Sequence, residues 1–298
     1  MQDDNSSSLV NALGKAGTLI EALPFMRRYS GRSIVVKFGG HAMGEKAFVD
    51  SFAADIVLLR QVGAKPVVVH GGGPQIGQML ERLQIESSFV DGLRITDAAT
   101  VSVVEMVLAG GINKALVAAI DAAGAMAVGL SGKDARLITA DRLAGVQSKS
   151  GGMVDLGFVG TPAEINPAVI GALIGADMIP VIAPLGLGRD GETYNINADT
   201  AAGAVAGALG ATRLLMLSDV AGVKDRDGNL IPRLTLSEAR ALIADGTVSD
   251  GMIPKLETCI QAVADGAEAA VIMDGRAPHA ILVELFTEDG IGTLVCND

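Results

Sequence analysis

The chain has 298 residues, a net charge of −11 and only 3% aromatic residues with no tryptophan. A sequence pI near 4.7 and so few aromatic platforms exclude nonspecific nucleic-acid binding as the main task. A hydrophobic content of 49% supports a large core, while the short length of its uninterrupted apolar runs argues against a membrane span.

From the N-terminus, residues 6–29 read as a helix. Ser6, Ser7 and Ser8 offer N-caps, and Leu9, Leu13, Ala16, Ile20 and Leu23 form one apolar stripe. Pro24 is expected to kink or end it. A strand over 34–38, a helix over 45–62, a strand over 66–70 and a helix over 74–84 follow. A long helix is expected over 97–123, then strands near 126–130 and 136–139. "VDLGFVG" (154–160) has the look of half a hairpin. A helix over 166–175 leads to a strand over 178–183. Beyond a junction around 184–195 come a small-residue helix within 195–210 and a buried strand opening "RLLMLSDVAGV" (213–223). Helices near 237–244 and 254–266 and a strand over 270–273 complete the pattern. Strands alternating with helices predict an α/β protein, an αβα sandwich on a mainly parallel sheet.

Acidic Asp3 and Asp4 do not suit a secretory leader. Cys259 and Cys296 stand in no metal-binding spacing, so a reducing, cytoplasmic setting is expected. His41, His70 and His279 show no metal-ligand spacing either, and His70 reads as a strand-end hydrogen-bonding residue.

In "IVVKFGGHAM" (34–43) Lys37 closes an apolar strand just before Gly39 and Gly40. Open α/β sheets bind ligands at such strand ends, and glycine lets backbone amides approach an anion. "PVVVHGGGPQI" (66–76) repeats the gesture with Gly71, Gly72 and Gly73 ahead of a helix N-terminus. Either loop alone is equally an ordinary tight turn; together they favour an anion site. "GLSGKD" (129–134) lacks the Ser or Thr of a Walker loop, and "GLGRDG" (186–191) runs into no helix, so it is read as a loop. Arg94 in "LRITD" (93–97) suits a two-point grip on a carboxylate or a solvated loop charge. Asn195, Asn197 and Asp199 in "NINAD" (195–199) sit at a predicted helix start, where Asn197 suits an N-cap. Lys255 falls in the first turn of another helix, against the dipole.

In order along the chain, "VVKFGGHAM", "VVVHGGGPQI", "FVDGLRITD", "VDLGFVG", "NINAD", "LSDVAGV" and "DGMIPK" resemble the amino-acid kinase family, most nearly its members that phosphorylate N-acetyl-L-glutamate. Asp250 before Gly251 is a small departure from that pattern. The resemblance implies an N-lobe (31–185) that binds the acetylated amino acid and dimerises, and a C-lobe (186–298) for ATP. It places Gly72, Gly73, Arg94 and Asn195 on the amino acid, with Arg94 on its α-carboxylate. It places Gly39, Gly40, Asp219, Val220, Gly222 and Met252 around the nucleotide. Lys37 and Lys255 would stabilise the transferring phosphoryl group, with Asp199 orienting both and Mg²⁺ held mainly by the phosphates. Residues 1–30 resemble the interaction helix of hexameric, arginine-inhibited members. "HAILVELFTEDGIGT" (279–293) resembles their arginine signature, with His279, Glu284 and Gly290 at its key positions.

Overall fold

The computed structural model describes residues 2–298 except 41, 42, 44, 91, 148–150 and 250, and describes residues 2–12 and 147 by their backbone alone. His41, Asp250 and the side chain of Leu9 therefore lie outside the described residues. The chain opens with α1 (Gln2–Tyr29), β1 (Ser33–Phe38), α2 (Lys46–Gln61), β2 (Lys65–His70) and α3 (Gly73–Arg82). A small hairpin, β3 (Phe89–Val90) and β4 (Leu93–Arg94), precedes α4 (Ala98–Glu105), a π-helical turn (Met106–Ile112) and α5 (Asn113–Ala123). Next come β5 (Ala127–Ser131), β6 (Ile138–Arg142), β7 (Val146–Gln147), β8 (Met153–Val154) and β9 (Val159–Ile165). The middle of the chain holds α6 (Ala168–Gly175), β10 (Ile179–Ala183), β11 (Leu185–Gly188), β12 (Thr193–Ile196), α7 (Ala198–Ala208) and β13 (Arg213–Ser218). The chain ends through β14 (Arg233–Thr235), α8 (Leu236–Ala244), α9 (Met252–Ala264), β15 (Ala269–Asp274), α10 (Ala280–Phe286) and β16 (Thr293–Cys296).

Eight strands form the main sheet in the order β14-β16-β15-β13-β1-β2-β10-β5. Every neighbouring pair is parallel except β15 with β16. Side chains alternate across the pleat. Val35, Val67, Val69, Leu214 and Met216 pack on one face with residues of α7, α8 and α9. Ile34, Val36, Phe38, Val68 and Leu215 pack on the other with residues of α2, α5 and α10. Both faces are covered, which is why the strands read as continuous apolar runs. This is the αβα sandwich expected from the alternation of elements. A second unit was not anticipated: β11, β12, β9 and β6 close into a small barrel.

Several local expectations are corrected. The first helix begins at Gln2, so Ser6, Ser7 and Ser8 lie inside it. It also runs on through Pro24 to Tyr29. Proline removes one N–H, and here it stands on an exposed surface, where water can serve the Ile20 carbonyl left without a partner. The long helix over 98–123 is widened by its π-helical turn, which contains the weakly helix-forming pair Gly110–Gly111. By length and composition this run is apolar enough to cross a membrane. Val104, Leu108, Leu116 and Ile120 are instead buried in the core. "GLGRDG" forms part of a hairpin, with Leu185 opposite Asn195 and Leu187 opposite Thr193. Asn195 therefore belongs to a strand, and only Asn197 and Asp199 to the helix start.

Candidate active site

Lys37 lies one residue before the end of β1, between β2 and β13, at the C-terminal rim of the parallel strands. Its side chain folds back over the next turn: a Cβ added at Gly39 would lie 2.9 Å from the Lys37 ammonium. Glycine at 39 thus leaves room for the lysine as well as for an approaching anion. The amide of Gly71 donates to the Phe38 carbonyl at 2.8 Å, which stitches the two glycine loops together.

Asp199 is aimed by its helix cap. The Asn197 side chain accepts hydrogen bonds from the amides of Asp199 (2.8 Å) and Thr200 (3.2 Å), fixing the first turn of α7. From there Asp199 Oδ1 lies 2.9 Å from Lys37 Nζ, and Oδ2 accepts from Lys255 Nζ at 2.9 Å. Burial alone would raise the Asp199 pKa. The ammonium groups of Lys37 and Lys255 outweigh it and hold the carboxyl below its ordinary value. The same carboxylate compensates Lys255 for its place in the first turn of α9. Two cations are so held on one carboxylate in a mostly buried setting, with Lys37 beside the place where Gly39 and Gly71 of the two glycine loops meet.

A cavity of about 300 Å³ opens beside this pair. Lys37, Gly72, Gly73, Arg94, Asn195 and Asp199 all line it, as does Gly40. Arg94 is buried, and burial pushes its pKa down from the usual arginine value. One arm of its guanidinium donates to Ser87 Oγ, and the other donates to the Gly73 carbonyl at 3.1 Å. The Phe89 ring lies 4.5 Å from its Cζ, a cation–π distance. Among the described residues two of its five N–H donors are engaged, which leaves three for an anion. Phe89 and Ser87 were not singled out from the sequence. The Asp-Gly pair of "FVDGLR" is the sequence signal that could have found them, since it favours a tight hairpin, and the β3–β4 hairpin sets Phe89 opposite Arg94. A larger apolar groove of about 610 Å³, lined by Met79, Leu83, Met106 and Ile112 among others, shares no residue with this cavity.

Of the residues expected around a nucleotide, only Gly40 lines this cavity; Gly39, Asp219, Val220, Gly222 and Met252 lie outside its lining. Asp219, Val220 and Gly222 follow the C-terminal end of β13, and Met252 opens α9. The Asp219 carbonyl accepts from Arg276 at 2.8 Å, a contact the sequence did not suggest. A Cβ at Gly222 would lie 2.5 Å from Thr293 Oγ1, so that turn packs tightly on β16. The residues of the arginine signature separate into two contacts. His279 pairs with Asp55 of α2 at 2.6 Å. Glu284 accepts from the amides of Ile291 (2.8 Å) and Gly292 (3.1 Å), with Gly290 against the same carboxylate. Among the described residues no three His, Cys, Asp or Glu side chains gather as a metal cage.

A family profile for the amino acid kinase family matches residues 32–274. The acetylglutamate kinase of Rhodospirillum centenum is 61% identical over 287 residues, covering 95% of this chain and 94% of that protein. The acetylglutamate kinase of Acidiphilium cryptum is 61% identical over 289 residues, covering 96% and 97%. Among solved structures, N-acetylglutamate synthase from Neisseria gonorrhoeae with coenzyme A and N-acetyl-glutamate superposes with a TM-score of 0.83 at 25% identity. That match covers 95% of this chain, which spans 63% of the synthase chain. The same synthase with coenzyme A and L-arginine gives a TM-score of 0.78 at 25% identity, covering 95% and 65%. A family match over most of the chain, with 61% identity along nearly its whole length, means that this chain belongs to the amino acid kinase family, in its acetylglutamate kinase branch, and is a phosphotransferase.

Proposed function

We propose that the protein transfers the γ-phosphoryl group of ATP to the side-chain carboxylate of N-acetyl-L-glutamate, giving N-acetyl-L-glutamyl 5-phosphate and ADP in arginine biosynthesis. The observation that carries this reading is the Lys37–Asp199–Lys255 arrangement at the edge of a cavity that also holds Arg94. The names of its relatives supply the substrate. Arg94 grips the α-carboxylate with its remaining donors, and the Gly72 and Gly73 backbone and Asn195 hold the rest of the amino acid. A carboxylate is already ionised near neutral pH, so its attack on phosphorus needs no general base. What in-line transfer does need is alignment and neutralisation of the charge spread over the phosphoryl oxygens. Lys37 and Lys255 supply two fixed positive charges for that purpose, held in place before the reaction by Asp199. Gly39, Gly40, Asp219, Val220, Gly222 and Met252 take the nucleotide. Asp199 is committed to two lysines, and the described residues form no carboxylate cage. Mg²⁺ therefore belongs with the phosphates.

The same reading divides the chain into an interaction helix (1–30), an acid-binding and dimerising lobe (31–185) and a nucleotide lobe (186–298). It includes feedback inhibition by L-arginine through His279, Glu284 and Gly290, a hexamer built as three dimers, and a cytoplasmic setting. The arginine complex of the Neisseria synthase supports arginine as a ligand of this fold. Hydroxylamine trapping of acyl phosphate is the test. With MgATP, N-acetyl-L-glutamate should give product and free glutamate or aspartate much less. Equal turnover of free glutamate would remove the substrate assignment.

A further inference from the structure

His70 closes β2, is fully buried and takes no part in the transfer described above. Its Nδ1 lies 2.9 Å from the carbonyl oxygen of Gly71. A carbonyl only accepts, so Nδ1 carries the proton and donates. On the other side of the ring, Nε2 lies 3.2 Å from the side-chain amide nitrogen of Asn113, and therefore accepts. The imidazole is neutral and locked in one tautomer. Burial, the dominant influence, pushes its pKa down to about 4 and agrees with that assignment.

Asn113 is itself fully buried and anchored to two further strands. Its two amide N–H groups are shared among three acceptors, His70 Nε2 and the carbonyls of Val181 in β10 (2.9 Å) and Leu130 in β5 (3.2 Å). Room for it comes from Gly129 in the "GLSGKD" segment, where an added Cβ would sit 2.9 Å from Asn113 Cγ and collide with Oδ1. Asn113 begins α5 directly after the π-helical turn. Leu108 and Ile112 of that turn press on Gly72, where an added Cβ would be 2.7 Å from Leu108 Cδ2.

The described residues contain no cis peptide. In a trans peptide the carbonyl of one residue and the N–H of the next point in opposite directions. Holding the Gly71 carbonyl toward His70 therefore turns the Gly72 N–H away from His70; Gly72 lines the cavity and His70 does not. We propose that His70 and Asn113 are positioning residues, which fix the Gly71–Gly72 peptide so that its amide is presented to the acidic substrate. This rests on the function proposed above and adds to it the residues that aim the second glycine loop.

The test compares His70→Leu, His70→Asn, Asn113→Ala and Gly129→Ala with wild type. N-acetyl-L-glutamate affinity is read by calorimetry, nucleotide affinity and kcat/KM beside it, and folding by thermal melts. Asparagine keeps a donor close to the place of Nδ1, and leucine keeps none. Losing an aimed hydrogen bond to a charged ligand should weaken acid binding about 10- to 100-fold in His70→Leu, Asn113→Ala and Gly129→Ala. Nucleotide affinity should stay within about twofold, and His70→Asn should keep acid binding within about threefold of wild type. Unchanged acid binding in His70→Leu would overturn the inference. So would a His70→Asn as weak as His70→Leu, because packing rather than the Gly71 bond would then be responsible. Loss of a limb of the pH–rate profile in His70→Asn would also overturn it, by making His70 a titrating group. If His70→Leu does not fold, the contrast between Asn113→Ala and His70→Asn decides. A wild type that binds no N-acetyl-L-glutamate defeats the function itself, whereas a wild type that turns it over beside an unaffected His70→Leu defeats only this inference.

Discussion

Lys255 and Asp199, 56 positions apart, meet at 2.9 Å between the first turns of α9 and α7. The ammonium stands against its own helix dipole and near Lys37, and the shared carboxylate is what makes the site tolerable. An expensive arrangement of this kind is expected where charge must be ready before a reaction begins. Lys255→Ala and Lys37→Ala should each lower kcat by about 10²–10³, the scale for one preorganised contact to developing charge. Thermal melts should show both variants folded. A kcat near wild type in Lys255→Ala would move the transfer role elsewhere.

If Asp199 acts by placing the lysines, its removal and theirs are not independent. Asp199→Asn and Lys255→Met should each depress kcat strongly. The double variant should lose little more than the worse single one, because the second change removes a group already misplaced. Steady-state kinetics of the four proteins gives the coupling. Strict additivity would mean that Asp199 acts on the phosphoryl group by a separate route.

Arg94→Lys keeps the charge but loses the planar fork, its contact with Ser87 and Gly73, and its stacking on Phe89. The variant should raise KM for the acid about tenfold or more with kcat largely retained, because the α-carboxylate is gripped alike in ground and transition states. Fluorimetric or calorimetric binding of the acid alone checks this directly. A fall in kcat with unchanged acid affinity would place Arg94 at the reacting end instead.

Much of the site was legible because its chemistry leaves short, contiguous marks. A strand ending in Lys37 and two glycines, and an Asn-x-Asp pair at a helix start, can be read without knowing what lies opposite. The pairing of Lys37 with Lys255 through one carboxylate could not be read from spacing and came only through resemblance. Asn113 was invisible for a different reason. Its role depends on the widened turn at 106–112, which shifts the helix register that periodicity assumes. Arg276 reaches a backbone carbonyl of residue 219, and backbone acceptors carry no residue type to recognise. The small barrel was missed because its strands are short and interrupted by turns.

His70 also predicts a pH dependence of stability. Its folded pKa is depressed to about 4 from an ordinary 6.5, first by burial. Between those values the unfolded chain binds a proton that the folded protein excludes, so stability falls as pH falls through this window. The full effect is about 3 kcal/mol at most. Asp55, whose pKa burial raises, works in the opposite direction and is common to both proteins compared. Urea melts at pH 7 and pH 5 should therefore show a smaller loss for His70→Asn than for wild type. Parallel losses would mean that His70 does not titrate alone in the folded state.

The N-terminal helix supplies the remaining prediction. Leu13, Leu19 and Ile20 are 63%, 63% and 70% exposed, a costly surface for a free helix. Its far end is fixed: Tyr29 is buried, with its ring 6.4 Å from that of Phe286 in α10. The helix that carries Glu284 is thus packed against the foot of α1. A subunit gripping the exposed part of α1 could shift α10, and arginine bound at α10 could shift the subunit in return, since linkage is reciprocal. About 1.4 kcal/mol of differential binding suffices for a tenfold change in activity. Deleting residues 1–28 leaves Tyr29 in place. The truncated protein should sediment as dimers rather than hexamers, keep its turnover, and respond less to L-arginine. Leu13→Glu with Ile20→Glu should do the same without shortening the chain. Sedimentation velocity with and without arginine, beside trapping assays, measures both effects. A full-length dimer indifferent to millimolar arginine would end this account of regulation and leave the phosphotransferase untouched.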